Sequence, residues 1–231
     1  MKGPVLISGA TGFIGNALSR HFLAHGRDVV GLLPPGHNDA GRLALGVRPL
    51  FLVDDDADSW RIALANVGAD VVVNAAADGV RRDRRDVDDL VNGNIRLSCR
   101  LLTATAAVGI ARFIQLGSWS EYAEPAQPRP LVETAPLTSV NLYGAAKASG
   151  TLLLQALARR LNVALTVLRL FHVYGPGEAP GRLTSHLIER LSLGEQVELS
   201  SRNKVRDFVY ISDVATAVEA ATDMAKTTDA A

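Results

Sequence analysis

Tyr143 and Lys147 stand four residues apart in the segment Tyr143-Gly144-Ala145-Ala146-Lys147. On a helix, that spacing puts the phenol and the ammonium on one face. A free tyrosine, with a pKa of about 10, is a weak base at neutral pH. A neighbouring cation favours the phenolate and fits the hydroxyl for proton transfer. Ser118 lies just beyond the apolar stretch Phe113-Ile114-Gln115-Leu116. Its hydroxyl could hydrogen-bond a substrate oxygen as charge develops there, although serine is also an ordinary turn residue. The third feature is Gly9-Ala10-Thr11-Gly12-Phe13-Ile14-Gly15, which joins the apolar run Val5-Leu6-Ile7 to a segment whose Phe13, Ile14, Ala17, Leu18, Phe22 and Leu23 fall at helical spacing. Glycines at such a junction allow a tight turn, a close approach of backbone to a pyrophosphate and tight packing of the helix. The helix N-terminus offers the phosphates unpaired N–H groups. Each signal alone is common; together and in this order they predict a dinucleotide site with a proton-transfer group beside it.

The elements that must position these residues are legible in the periodicity. After the first helix, which ends near Gly26, Val29-Val30-Gly31-Leu32-Leu33 reads as a strand stopped by Pro34-Pro35-Gly36. Further strands are expected at Leu50–Val53, Val71–Asn74, Phe113–Leu116 and Ala164–Leu168, with helices at Trp60–Val67, Asp88–Val108 and Val140–Leu161. Apolar strands alternating with helices predict an α/β, doubly wound parallel sheet of Rossmann type, with ligands at the carboxyl ends of its strands. Residues 1–174 are assigned to this dinucleotide-binding domain. Residues 175–231 are assigned to a smaller, partial substrate lobe interleaved with it, carrying a helix at Leu183–Leu193, strands at Val197–Leu199 and Phe208–Ile211, and a final helix.

Composition narrows the function classes. The 231 residues are 48% apolar and carry 24 basic against 24 acidic side chains, so no global field draws the chain to nucleic acid or a membrane surface. The run Arg81-Arg82-Asp83-Arg84-Arg85-Asp86 mixes signs and is expected to be a solvated loop or helix start. No apolar run is long enough for a membrane span, and a strand begins almost at once, so a cytoplasmic protein without a signal peptide is expected. A lone Cys99 excludes an internal disulfide and is expected to be a buried thiol. No Cys-x-x-Cys or His-Glu-x-x-His spacing suggests a zinc site.

Taken in order, the motifs resemble those of the extended short-chain dehydrogenase/reductases, in particular the NAD(P)-dependent nucleotide-sugar epimerase/dehydratase family. The resemblance runs from Val5 to about Ala221. It takes in the glycine turn, Asn74-Ala75-Ala76-Ala77, Asn94, Gly117-Ser118-Trp119-Ser120-Glu121-Tyr122, the Tyr143–Lys147 segment, Leu168-Arg169-Leu170-Phe171-His172-Val173-Tyr174-Gly175-Pro176-Gly177 and Arg206-Asp207-Phe208-Val209-Tyr210-Ile211-Ser212-Asp213-Val214. It implies that Tyr143 is the acid/base, that Lys147 binds the nicotinamide ribose and holds the phenol pKa down, and that Ser118 bonds the reacting oxygen. Gly9, Gly12, Phe13, Ile14 and Gly15 would hold the cofactor. Asp54 and Asp55 would meet the adenine, Ala75, Ala76 and Ala77 would line the dinucleotide, and Asn94 and Phe171 would complete the cofactor site. Arg206 would grip the nucleotide diphosphate, a role suited to its forked donors, unless it forms a strand-edge ion pair with Asp207 or Asp213. A homodimer is also implied.

Departures from the family pattern sharpen the reading. Leu33 stands where an acidic residue would hold the ribose 2′-hydroxyl of NAD, and Pro34 where an arginine would welcome a 2′-phosphate; NAD and NADP both stay open, with a tilt to NADP. Trp119-Ser120 replaces the Asp-Glu pair of the 4,6-dehydratases, which argues against dehydration. His172 replaces an asparagine and could donate to the sugar or diphosphate, or only fill space. The chain is short for the family, so an incomplete lobe is expected. The leading reading is an oxidoreductase acting at C4 of a nucleotide-linked sugar, as a 4-ketoreductase or a C4 epimerase. The alternative is a non-catalytic NAD(P)-binding sensor or scaffold.

Overall fold

The chain's structure is a computed structural model that describes residues 2–36, 39–80, 86–124, 129–198 and 205–224. Its core is built from β1 (Val5–Ser8), α1 (Phe13–Ala24), β2 (Val29–Leu33), β3 (Arg48–Phe51), α2 (Ala57–Ala65) and β4 (Val71–Asn74), followed by α3 (Val87–Val91), α4 (Leu97–Ala107), β5 (Arg112–Ser118), α5 (Leu142–Leu161) and β6 (Ala164–Leu170). The remaining elements are β7 (His172–Tyr174), α6 (Leu183–Ser192), β8 (Phe208–Tyr210) and α7 (Ile211–Asp223). Six strands form one parallel sheet in the order β3-β2-β1-β4-β5-β6, and β7 pairs with β8 in a separate parallel ribbon. The order reverses between β1 and β4, which pair Ser8 with Asn74, so the crevice at their carboxyl ends is the place for a ligand.

β1, β2 and β4 are buried along their whole length, as strands covered on both faces must be. On one face, Leu18 and Phe22 of α1 and Val214, Ala215 and Val218 of α7 pack against Val5, Ile7, Val71 and Val73. On the other, Trp60 and Leu64 of α2, Leu101 and Leu102 of α4 and Leu154 of α5 pack against Leu6, Val72 and Phe113. α7 therefore covers the parallel sheet itself. No helix among the described residues is long and apolar enough to cross a membrane.

Several expected boundaries shift. β3 occupies residues 48–51 rather than 50–53, because its register is set by pairing Val30 with Arg48 and Leu33 with Phe51; Leu52 is buried just past the strand end. α2 starts at Ala57, earlier than Trp60, because the Asp56 carboxylate accepts from Ser59 N–H and caps it. The helix expected at 88–108 is interrupted by a π-helical turn, Asn92–Arg96, between α3 and α4. β7 was not expected at all, and Val197 and Glu198 are not in a strand; Leu199 lies outside the described residues. The charged run at 81–85 also lies outside them, while Asp86 caps α3 through Asp88 N–H at 2.9 Å. Cys99 is half-buried, and burial pushes its thiol pKa up.

Candidate active site

At the crevice, Gly9 adopts a left-handed backbone with φ +72°, and a Cβ there would come within 2.7 Å of Ala76 N. Only glycine lets the β1 turn press this closely against the β4 loop. Gly9, Gly12, Ala75, Ala76 and Ala77 line a cleft together with Thr11, Leu33, Pro34, Trp60 and Asp78. α1 begins at this cleft with Gly12 as its N-cap, no side-chain cap and no acidic residue in its first turn. Its first N–H groups and positive end are therefore left for an anion, and these residues fit a dinucleotide pyrophosphate. Phe13 and Ile14 open the helix with side chains packed partly against the core. Beneath the cleft floor, Asn74 joins the strand ends: its amide donates to Gln115 Oε1 at 2.8 Å and to Ser98 Oγ at 2.9 Å, and its carbonyl accepts from Ser8.

The second half of the site forms where α5 meets the end of β5. Ser118 caps a short turn, Trp119–Glu121, in which its hydroxyl accepts from Ser120 N–H at 3.2 Å and contacts Ser120 Oγ at 2.8 Å. Gly144, next to Tyr143, packs directly on this turn: a Cβ there would fall 2.0 Å from Ser120 O. That contact brings the half-buried Tyr143 to the Ser118 turn. One helical turn on, Lys147 is buried and donates to Leu116 O on β5 at 2.6 Å. Burial lowers its pKa to about 8, partly opposed by the charge of Glu121. The ammonium is thus held under the strand end, on the face that Tyr143 shares.

The other expected site residues have definite places. Asp54 and Asp55 are exposed past β3; Asp55 accepts from Trp60 Nε1 at 3.0 Å and pairs with Arg100, so it holds the indole that lines the cleft. Asn94 is buried in the π-helical turn, its amide donating to Asp78 O and Leu90 O, both at 3.0 Å, while its Oδ1 is buried without a partner among the described residues. Phe171 and His172 stack on Trp119, with ring centroids 6.5 and 5.1 Å away. Burial and the nearby Arg206 lower the His172 pKa, and its Nδ1 is likewise buried and unpaired among the described residues. Arg206 is exposed and donates to Val205 O at 2.9 Å; among the described residues it makes no ion pair with Asp207 or Asp213.

Sequence reasoning passed over the group that supports the Ser118 turn. Glu121 is fully buried. One of its oxygens accepts from Ser118 N–H at 2.7 Å, and the other accepts from Thr151 Oγ1 at 2.9 Å and Arg169 Nε at 3.0 Å. A buried carboxylate needs such partners, and here they come from β5, α5 and β6 at once. Arg169 extends the network to Tyr122 Oη at 3.2 Å and lies over that ring. The one sequence signal was an arginine inside a mostly apolar strand, which calls for an acidic partner that only the fold identifies.

With this geometry in place, comparison with known proteins settles the family. The profile of the NAD dependent epimerase/dehydratase family matches residues 5–230. The chain is 31% identical to a dTDP-glucose 4,6-dehydratase of Streptomyces griseus, over 95% of this chain and 70% of that protein. It is 29% identical to the low-salt glycan biosynthesis protein Agl12 of Haloferax volcanii, over 93% of this chain and 71% of that one. Its fold matches the UDP-glucose 4-epimerase of Thermotoga maritima, solved with UDP-glucose, at a TM-score of 0.84 and 26% identity, over 95% and 73% of the two chains. It matches the UDP-glucuronic acid 4-epimerase of Bacillus cereus, solved with UDP-glucuronic acid and NAD, at 0.80 and 28% identity, over 98% and 74%. The chain belongs to the NAD dependent epimerase/dehydratase family, and so to the extended short-chain dehydrogenase/reductase enzymes that act on nucleotide sugars. The tilt toward NADP finds no support: the Bacillus cereus structure holds NAD, as does that of the UDP-glucose 4-epimerase of Thermus thermophilus.

Proposed function

We propose that this enzyme epimerises a nucleotide-linked sugar at C4, with NAD in the cleft between β1 and β4. The observation that carries this reading is the packing of Gly144 on the Ser118 turn, with Lys147 anchored to Leu116 O behind it. Bound NAD would supply the acceptor and donor of a hydride. Tyr143 takes the proton of the sugar hydroxyl as the C4 carbonyl forms and returns one when it is reduced. Ser118 donates a hydrogen bond to that oxygen, and the Lys147 ammonium favours the phenolate and holds the ribose. Gly12 and the α1 N-terminus receive the pyrophosphate, and Phe171 borders the nicotinamide. Arg206 and His172, across the β7–β8 ribbon, are the candidates for the nucleotide diphosphate and sugar. The named activities of relatives, UDP-glucose 4-epimerase and UDP-glucuronate 4-epimerase among them, favour epimerisation over net 4-ketoreduction; they give the sensor or scaffold reading no support. The homodimer implied by the resemblance is supported by the exposed Leu152 and Leu153 of α5, and sedimentation of the purified chain tests it.

The decisive experiment incubates the protein and its Tyr143→Phe variant with NAD and UDP-glucose or UDP-glucuronic acid, following products by chromatography and NADH by absorbance. Tyr143→Phe should lower turnover by at least ~10²-fold with NAD binding kept. Equal turnover in the two proteins removes Tyr143 from the mechanism. NADH that accumulates with product marks a net oxidoreductase, whereas C4-inverted sugar without net NADH marks an epimerase.

A further inference from the structure

His21 and His25 are one turn apart near the end of α1, and across from them stands Glu219 of α7. His21 Nε2 lies 2.7 Å from Glu219 Oε2. The two imidazoles lie side by side with centroids 4.3 Å apart and planes tilted by 41°. One ligand atom from each of the three residues lies within 4.8 Å of the other two. We infer that His21, His25 and Glu219 form a binding site for one divalent transition-metal ion of the zinc, nickel or copper(II) class, which ties α7 to α1.

The chemistry of the donors fits that class. Two imidazoles and one carboxylate are the ligand set that zinc and its neighbours favour, with bonds of about 2.0–2.2 Å and room for water in the remaining positions. Such a shell spaces its ligand atoms about 3–4 Å apart, close to the spacing the three residues already have. The tautomer is also prepared. His25 Nδ1 lies 2.8 Å from the His21 carbonyl oxygen, which can only accept, so the proton sits on Nδ1 and Nε2 keeps the lone pair. A backbone carbonyl holding the second ring nitrogen is the usual support of a metal-bound histidine.

The two helices also pack in one core through Leu18 and Phe22 of α1 and Val214, Ala215 and Val218 of α7, and the end of α7 is tied to the rest of the fold without any ion. Lys2 Nζ pairs with Asp223, and Arg27 donates to Thr222 Oγ1 at 3.3 Å. Arg112 donates to the Thr222 carbonyl at 2.8 Å. The ligands are therefore presented by rigid elements, and little conformational freedom is lost on binding. The site is separate from the cleft: His21 is eight residues along α1 from Phe13, about 12 Å at 1.5 Å per residue.

The test uses the full chain without a histidine tag, freed of metal by chelation, at pH 7.5. NiCl2 and ZnCl2 are titrated in a calorimeter, and thermal unfolding is followed with and without the ion. The inference predicts one saturable equivalent per chain and, at a hundredfold excess over Kd, a rise in Tm of about 5–10 °C. His25→Ala, which removes an exposed ring, and Glu219→Gln should each weaken binding at least tenfold and abolish the rise. Those two variants keep the test valid even where His21→Ala fails to fold. Unchanged stoichiometry and affinity in both variants would overturn the inference, as would wild-type binding without any rise in Tm.

Discussion

Lys147 and Glu121 are two buried charges close enough for one to act on the other, and their environments push them to different roles. Lys147 is a base whose charged form burial disfavours, so it sheds its proton at about pH 8. In the proposed mechanism, the cation that would favour the Tyr143 phenolate is present below that pH and lost above it. The kcat/KM profile should therefore fall on its alkaline side with an apparent pKa near 8, and Lys147→Arg should carry that limb to higher pH; a limb unmoved by the substitution would assign it to another group. Stability runs the other way. The unfolded chain keeps the lysine proton to about pH 10.4, so between pH 8 and that value the native state gains stability as pH rises. Glu121 holds the structure together instead, since Glu121→Ala strands Arg169 and leaves the Ser118 N–H without its acceptor. Loss of one partner of a buried pair costs about 3–5 kcal/mol, which lowers Tm by roughly 10 °C in a chain of this size. Replacing both partners, as in Glu121→Val with Arg169→Leu, should cost less than Glu121→Ala alone, and calorimetric melts of the three variants check the order.

At the scale of elements, the groups proposed to react depend on how closely α5 approaches the turn after β5. Gly144→Val would drive a side chain into Ser120 O and Ser139 Oγ, 2.0 and 2.1 Å from a Cβ at that position, and lift Tyr143 off the site. A displacement of about 1 Å is enough to lower kcat by roughly 10²-fold. Circular dichroism should meanwhile show a folded protein, and a variant with wild-type kcat would refute the packing argument. Elements set by local chemistry could be read from the chain: β4 is an uninterrupted Val-Val-Val-Asn run and lies where it was expected, and the glycine turn sits between β1 and α1. Elements set by distant partners could not. The β3 boundary follows from its pairing with β2, and β7 exists only because β8, more than thirty residues later, pairs His172 with Phe208. The π-helical turn has no periodicity of its own, yet it turns Asn94 inward. In the site, Ser118, Tyr143 and Lys147 were visible as types and spacing. Glu121, Arg169 and the cleft-lining Trp60 were not, because their partners are brought near only by the fold.

For the whole molecule, α7 is the connection that matters most. Ile211, Val214, Ala215, Val218 and Ala221 are buried with Val5, Leu18 and Phe22, so α7 completes a core begun by β1 and α1 some 200 residues earlier. Val218 is fully buried, and Val218→Ala should cost about 2 kcal/mol, or roughly 4–8 °C in Tm. Fluorescence of Trp60, on the opposite face of the sheet, should report the same single transition as the helical signal. Two separated transitions would instead show the C-terminal segment melting as a unit of its own.

The same placement governs birth of the protein on the ribosome. The sheet face that α7 covers stays bare until residues beyond 211 leave the exit tunnel, and at about 5–20 residues per second the nascent chain carries that greasy surface for many seconds. Early strands can pair, but they cannot be sealed before α7 has been synthesised, so a need for chaperone cover in that interval follows from how far α7 lies from β1 along the chain.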